Sequence, residues 1–105
     1  MNKKYKIEFH KDALKEFKKL DNSIKEHFKK AIKKIIQNPR IPSKELHGNL
    51  NGFYKIKDSK SGFRIVYNVI EEIITIKIWA VGKRDKKEVY KTAGERIDKS
   101  IKENA

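Results

Sequence analysis

The first third of the chain changes from a two-residue hydrophobic period to a helical one. Residues 5–9 alternate apolar and polar side chains, which is typical of a half-buried strand. Apolar residues then recur at helical spacing within 10–20 and 24–36, with Asp21-Asn22 as a break between the two stretches. Asn38-Pro39 ends the second stretch, because the residue before a proline avoids the α region. The pattern predicts one strand followed by two antiparallel amphipathic helices.

The second half of the chain predicts three strands and a last helix. Residues 54–57, 63–70 and 73–81 have strand-like patterns and are separated by turn-forming residues, which indicates an antiparallel meander. Apolar residues from Val89 to Ile101 then return at helical spacing, and residues 98–105 are expected to form a frayed tail.

The order βααβββα predicts one α+β domain over residues 1–105. In it, two N-terminal antiparallel helices pack on one face of a small antiparallel β-sheet, with a C-terminal helix after the sheet. We expect all the helices on the same face. No internal repeat or linker suggests a second domain.

Alternation within the strands also predicts where the charges lie. Lys55 and Lys57 share one face of their strand, because successive side chains point to opposite faces. If Lys57 pairs across the hairpin with Arg64, the three cations lie together and the neighbouring apolar residues are buried. We therefore expect an apolar face toward the helices and a cationic face toward solvent, suited to binding phosphate.

Composition strengthens the expectation of an anionic partner. The chain has 27 Lys and Arg against 14 Asp and Glu, a formal net charge of +13, which favours binding to a polyanion. The absence of cysteine excludes disulfides and zinc–thiolate sites, and no carboxylate or histidine cluster has ligand spacing, so no metal or other cofactor is expected. No signal peptide or long apolar run is visible, so we expect a cytoplasmic protein with no membrane association.

Several stretches in a fixed order closely resemble the RelE toxins. The resemblance covers roughly residues 4–98. The stretches that carry it are Ala13–Leu20, Asn38–Arg40, Tyr54–Lys57, Ser61–Tyr67, Val81–Arg84 and Val89–Tyr90.

This resemblance implies a toxin of a type II toxin–antitoxin system. It implies a ribosome-dependent endoribonuclease that cleaves mRNA in the ribosomal A site, using the 2′-hydroxyl of the RNA as the nucleophile. It also implies an acidic, RelB-like antitoxin as partner, with operator DNA bound only through the toxin–antitoxin complex. The family's functional positions correspond to Lys55, Lys57, Arg64, Arg84 and Tyr90.

The chemistry of these side chains fits that reaction. On the family interpretation, Arg84 protonates the leaving group and Arg64 holds the phosphate, while Tyr90, Lys55 and Lys57 all remain candidates for the general base. The histidines of the chain do not fall on the predicted sheet face, so a two-histidine ribonuclease site is not expected. Flanking lysines are expected to bind RNA, namely Lys60, Lys83 and Lys86.

Two other functions remain open at this point. The first is a ParE-like toxin that inhibits DNA gyrase by protein binding, since fold similarity alone does not separate the two activities. The second is a nucleic-acid-binding protein that leaves RNA uncut. Taken singly, Lys55 and Lys57 are also explained as a solvated strand face, and Tyr90 as part of the core.

Overall fold

The computed structural model describes residues 4–103, except for the side chain of Lys86. The elements of this range follow the predicted order: β1 (Lys6–Phe9), α1 (Lys11–Lys18), α2 (Asn22–Gln37), β2 (Tyr54–Lys57), β3 (Phe63–Ile70), β4 (Thr75–Lys83) and α3 (Glu88–Glu103). The α+β class is therefore confirmed. Helix α3 continues through Glu103, including 98–103, where the sequence indicates a frayed tail. No helix within the described range is long and apolar enough to cross a membrane.

The four strands form one sheet in the order β1-β4-β3-β2. Strands β2, β3 and β4 form the predicted antiparallel meander, but β1 pairs with β4 in the parallel direction. The predicted antiparallel sheet is therefore confirmed for these three strands, and β1 is the exception in its direction. Alternation in residues 5–9 identifies a strand but not its direction, which depends on how the α1–α2 connection returns the chain to the sheet.

The first face of the sheet is covered by α1 and α2. A buried cluster on this face, here called the first cluster, includes Ala13 and Phe28 from the helices and Ile65, Tyr67 and Ile78 from the sheet, all fully buried. The Tyr67 hydroxyl donates a hydrogen bond of 2.8 Å to the Pro39 carbonyl, which ties the end of the helical half to the sheet. Burial raises the pKa of this phenol, so Tyr67 remains a neutral donor.

Helix α3 packs on the opposite face of the sheet. The second cluster on that face consists of Val66, Trp79, Ala80, Val89 and Ala93. The expectation that all helices share one face is therefore wrong. Strands β3 and β4 are central and carry apolar residues on both faces, as a sheet covered on both sides requires. A β-bulge in β4 also contributes to the burial of apolar residues on both faces. Val66 is opposite Ala80 and Tyr67 is opposite Ile78, which leaves Trp79 as an extra residue on β4.

Two contacts hold α3 against β4. At its first turn, Val89 packs over Gly82, where a Cβ built on the glycine would be in ordinary van der Waals contact with the Val89 Cβ, at 3.5 Å. Further along, Arg96 donates to both carboxylate oxygens of Glu16 in α1, at 2.9 and 2.8 Å, and to the Trp79 carbonyl at 3.0 Å. Glu16 also accepts a bond of 3.1 Å from the Val81 amide.

The Glu16–Arg96 pair occupies the edge of β4 that β1 leaves uncovered, since β1 pairs with β4 only as far as Ile78. The pair forms hydrogen bonds with the Val81 amide and the Trp79 carbonyl, which would otherwise be unpaired at this open sheet edge. The hydrogen bond with Glu16 is the main cause that raises the pKa of Arg96 above its ordinary value. The pair therefore joins α1, β4 and α3 in one polar contact.

Candidate active site

The hairpin of β2 and β3 brings three of the predicted cations together. Lys57 is directly opposite Arg64, as the sequence predicts, and Lys55 is opposite Val66. Opposed residues of an antiparallel pair point to the same face. The prediction that Lys55, Lys57 and Arg64 share a face is therefore confirmed. That face is the one that α3 covers in part, so the expectation of a face open to solvent throughout is wrong.

The β2–β3 turn connects this group to Arg84. Gly62 adopts a φ of +82°, a conformation that glycine tolerates without strain, and its carbonyl accepts a hydrogen bond of 3.0 Å from the Arg84 amide. Arg64 lies opposite Gly82 on β4, only two positions before Arg84. Both arginines thus line one open depression of ≈ 580 Å³, here called the arginine depression, whose lining residues are Ser61, Gly62, Arg64, Lys83, Arg84, Asp85 and Lys87.

A second depression adjoins the first across the same turn. It has a volume of ≈ 570 Å³ and is here called the lysine depression, with the lining residues His27, Ser43, Lys44, Lys55, Lys57, Asp58, Ser59 and Lys60. The turn contributes Asp58, Ser59 and Lys60 to this depression, and Ser61 and Gly62 to the arginine depression. The predicted cations therefore line two neighbouring concavities rather than one pocket.

Tyr90 lies in the first turns of α3. Its ring is half-buried and packs against the second cluster, which includes Val66, the cross-strand partner of Lys55. Tyr90 and Lys55 therefore lie on the same face of the sheet. The buried part of the Tyr90 ring has the packing role in the core that the sequence allows for this residue.

The flanking lysines expected to bind RNA have separate positions. Lys60 lines the lysine depression, and Lys83 lines the arginine depression with its Nζ 5.5 Å from the centre of the Phe63 ring. The side chain of Lys86 lies outside the described part of the structure.

The arginines of the chain divide into two kinds. Arg40 and Arg96 each form an ion pair, with Glu71 at 2.7 Å and with Glu16 at 2.8 Å. Among the described residues, by contrast, no carboxylate pairs with Arg64 or Arg84.

Arg64 is the more unusual of the two unpaired arginines. Its Nε is buried without a hydrogen-bond partner among the described residues, and one of its terminal nitrogens makes only a long 3.5 Å contact to the Phe63 carbonyl. A half-buried, unpaired guanidinium is costly for the folded protein. Arg64 lines the arginine depression and has no carboxylate partner among the described residues, which suits its guanidinium to binding an external anion there.

Three features of this region were not found from the sequence. His27 places Nδ1 3.1 Å from an Asp58 carboxylate oxygen at the wall of the lysine depression, and Lys44 lines the same wall. The Ser61 hydroxyl donates to the other Asp58 oxygen, and this bond is the main cause that lowers the pKa of Asp58. The Glu16–Arg96 pair is the third feature. The His27–Asp58 and Glu16–Arg96 contacts join residues far apart in the chain, which no local pattern predicts, whereas the Ser61–Asp58 bond lies within the β2–β3 turn.

The chemistry that this arrangement supports is binding of a phosphodiester. Clustered guanidinium and ammonium groups stabilise charge that develops on phosphoryl oxygens. Within residues 4–103, no group of three or more His, Cys, Asp and Glu side chains is arranged to hold a metal ion.

Comparison with known proteins places this chain in a family. The model of the family described as "ParE toxin of type II toxin-antitoxin system, parDE" matches residues 7–88. A RelE-like toxin protein of Escherichia coli is 49% identical over 94 residues, covering 90% of this chain and 98% of that protein. The mRNA interferase toxin RelE of E. coli is 41% identical over 93 residues, covering 89% of this chain and 97% of that protein.

Solved structures agree with this assignment. The free-state structure of an arginine-to-alanine double variant of E. coli RelE has a TM-score of 0.81 at 39% identity, covering 90% of this chain and 98% of that one. The intact E. coli RelBE toxin–antitoxin complex contains a chain with a TM-score of 0.72 at 39% identity, covering 75% and 95%. This chain therefore belongs to the RelE toxins, within the ParE-type family of type II toxin–antitoxin systems.

Proposed function

We propose that this protein is the toxin of a type II toxin–antitoxin system and inhibits translation as an endoribonuclease that cleaves mRNA in the ribosomal A site. The observation that carries the proposal is the unpaired pair Arg64 and Arg84 in a depression that adjoins Lys55 and Lys57. The relative named mRNA interferase toxin RelE, 41% identical over nearly its whole length, supports an RNA-cleaving activity.

The reaction assigned to the site is attack of a 2′-oxygen on the adjacent phosphorus. The new bond joins the 2′-oxygen to phosphorus while the bond to the 5′-oxygen breaks, which leaves a 2′,3′-cyclic phosphate and a 5′-hydroxyl. Arg64 holds the phosphoryl oxygens as their negative charge increases. Arg84, exposed at the rim of the arginine depression, donates a proton to the leaving 5′-oxygen. The proton of the 2′-hydroxyl passes to whichever of Tyr90, Lys55 and Lys57 is deprotonated when the RNA binds, because a charged ammonium group or a neutral phenol has no site to accept it.

This set of side chains explains why the ribosome would be needed. It lacks the pair of histidines, acid and base, that ribonucleases often use near neutral pH, since His27 is the one histidine of the described residues that lines either depression, so proton transfer is expected to be inefficient on freely moving RNA. A ribosome that holds the codon in line for attack supplies the orientation that the site lacks. We therefore place the protein in the cytoplasm, where its substrate is found.

An acidic antitoxin is the proposed protein partner. E. coli RelE has been solved in complex with RelB, and this chain is 39% identical to the matched chain of that complex. A net charge of +13 gives the toxin a strong long-range attraction for an acidic protein. Operator DNA would be bound only through the toxin–antitoxin complex.

Inhibition of DNA gyrase is the second candidate, because the matching family model carries the ParE name. Mapping of cleavage sites separates the two. The purified protein is incubated with a defined mRNA, free and on ribosomes with an empty A site, and the ends are mapped by primer extension. Cuts within the A-site codon, only with ribosomes, support the proposal. Intact mRNA together with inhibited supercoiling by gyrase would replace it with the second candidate.

A further inference from the structure

The lysine depression contains basic side chains beyond those that the family resemblance assigns. Lys44 comes from the short 3-10 turn Pro42–Lys44, which lies against β2, and Lys60 comes from the β2–β3 turn. Together with Lys55 and Lys57 they surround one concavity with ammonium groups. None of these four lysines is ion-paired within the described part of the chain.

Among the described residues, Asp58 is the one acidic side chain that lines this depression, and its charge, which interacts with that of Lys60, offsets only part of the positive charge of the four lysines. One Asp58 oxygen accepts from the Ser61 hydroxyl and the other lies 3.1 Å from His27 Nδ1. The Asp58 side chain is only 13% exposed, while that of His27 is 49% exposed. The carboxylate is therefore held at the wall of the depression by Ser61 and His27, and four lysines against one carboxylate leave an excess of positive charge for an external anion.

The depression has the size and position of a binding site for one nucleotide. Its ≈ 570 Å³ lies within the range of small-molecule sites, about 300–1,000 Å³, and exceeds what a single phosphate would fill. It meets the arginine depression at the β2–β3 turn, and Lys57 on its rim is directly opposite Arg64. A strand of RNA held at Arg64 and Arg84 would cross this turn and enter the lysine depression.

We propose that the lysine depression is a subsite for the single-stranded RNA nucleotide next to the cleaved bond, with Lys44 and Lys60 binding its phosphate. The inference rests on the proposed function, since it extends the same RNA path. Lysines act as point charges without the planar fork that arginine offers to a base edge, so this subsite holds RNA without selecting its sequence.

Equilibrium binding of a short, fluorescein-labelled, single-stranded RNA with 2′-O-methyl groups, which cannot be cut by 2′-attack, tests the subsite. Affinity is measured from about 50 to 200 mM salt for the wild type, Lys44→Ala, Lys60→Ala and the double variant. Lys6→Ala is the matched control, because Lys6 is an exposed lysine on β1, the opposite edge strand of the sheet.

We expect each of the two single changes to weaken binding about three- to tenfold and to reduce the slope of log affinity against log salt by about 0.7. In the double variant the two decreases in log affinity should add, as should the two decreases in slope. Lys6→Ala should match the wild type. Effects of Lys44→Ala and Lys60→Ala no larger than that of Lys6→Ala would overturn the subsite, as would no measurable RNA binding by the wild type at low salt. Unchanged RNA affinity with weaker antitoxin binding would also overturn it, in favour of a protein-binding surface.

The ribosomal cleavage assay keeps this result separate from the proposed function. If the wild type cuts mRNA on ribosomes while Lys44 and Lys60 make no difference to RNA binding, the subsite is wrong and the activity stands. If the wild type cuts nothing but the two lysines still determine RNA affinity, the lysine depression binds RNA as proposed, while the proposed activity, and with it the position next to a cleaved bond, fails.

Discussion

The two faces of the sheet are built for different purposes. The first face is closed by two helices over a large cluster with Phe28, Ile65 and Tyr67 at its centre, and the tyrosine hydroxyl there is hydrogen-bonded. The second face has a smaller cluster under one helix, and beside it Arg64 is left with a buried nitrogen that has no partner among the described residues. We infer that stability comes mainly from the first face, and we propose that the second face keeps an unfavourable charge arrangement for the proposed cleavage reaction.

The largest expected effect is on the first face. Phe28→Ala removes a fully buried aromatic ring and should lower the free energy of unfolding by about 3–5 kcal/mol. Urea unfolding followed by circular dichroism measures this loss, with Lys29→Ala, an exposed neighbour on α2, as control. An equal stability of the two variants would contradict the role assigned to the first face.

The next effect separates activity from stability on the second face. Arg84→Ala should slow mRNA cleavage on ribosomes by about 10²–10³-fold, because it removes a positioned donor from the site. Arg84 is exposed, so the free energy of unfolding should change by no more than about 0.5 kcal/mol.

Arg40→Ala is the matched control for Arg84→Ala. It removes an arginine that is paired with Glu71, and cleavage should remain at the wild-type rate. Cleavage lost equally in both variants would mean that general positive charge, rather than this site, determines the activity.

A smaller effect is expected where the two faces are joined. Glu16→Gln keeps the shape of the side chain but removes the charge that Arg96 binds, and should cost about 1–2 kcal/mol. Helix α3 should then be cleaved faster by a protease under native conditions. Glu26→Gln is the control, because Glu26 is an exposed residue with only a 3.9 Å contact to Lys29. Unchanged proteolysis in the Glu16 variant would show that the second cluster alone holds α3.

The smallest effect is a pH dependence at His10. Burial, followed by the charge of Arg96, lowers the pKa of His10 below its ordinary value of 6.5. Lys77 and Lys11 act in the same direction and Asp12 acts against them. The neutral ring also accepts a hydrogen bond from the Asp12 amide at the start of α1.

The folded state therefore binds a proton at His10 less readily than the unfolded state does. The contribution of neutral His10 to the stability of the fold is present above the unfolded pKa of about 6.5, and it is lost as the pH falls below that value. Thermal unfolding of His10→Gln should show a weaker decrease in stability over this range than the wild type. The exposed His47→Gln variant is the control, and identical pH profiles for all three proteins would disprove the effect.

Much of this architecture is readable from the sequence because burial determines it. Turning Tyr54 and Ile56 into the core forces Lys55 and Lys57 to the other face, and the same rule places Arg64 opposite Lys57. The order of the elements follows from changes of hydrophobic period in the same way.

The rest depends on contacts between distant residues. The bulge at Trp79 has no signature in the alternation of β4, and without it the second cluster under α3 is not evident. The parallel direction of β1 follows from the path of the helices rather than from its own residues. Likewise His27 and Asp58 are unremarkable in sequence and meet only because α2 packs beside the β2–β3 turn.

Arg64→Met tests the central claim most directly, because methionine keeps an apolar stem of similar length but removes the unpaired guanidinium. Thermal unfolding and the single-turnover rate of mRNA cleavage on ribosomes are measured on the same preparation. We expect an unfolding temperature equal to or above that of the wild type, with cleavage at least about 10²-fold slower. A lower unfolding temperature with unimpaired cleavage would contradict the account, since Arg64 would then serve the fold and not the reaction.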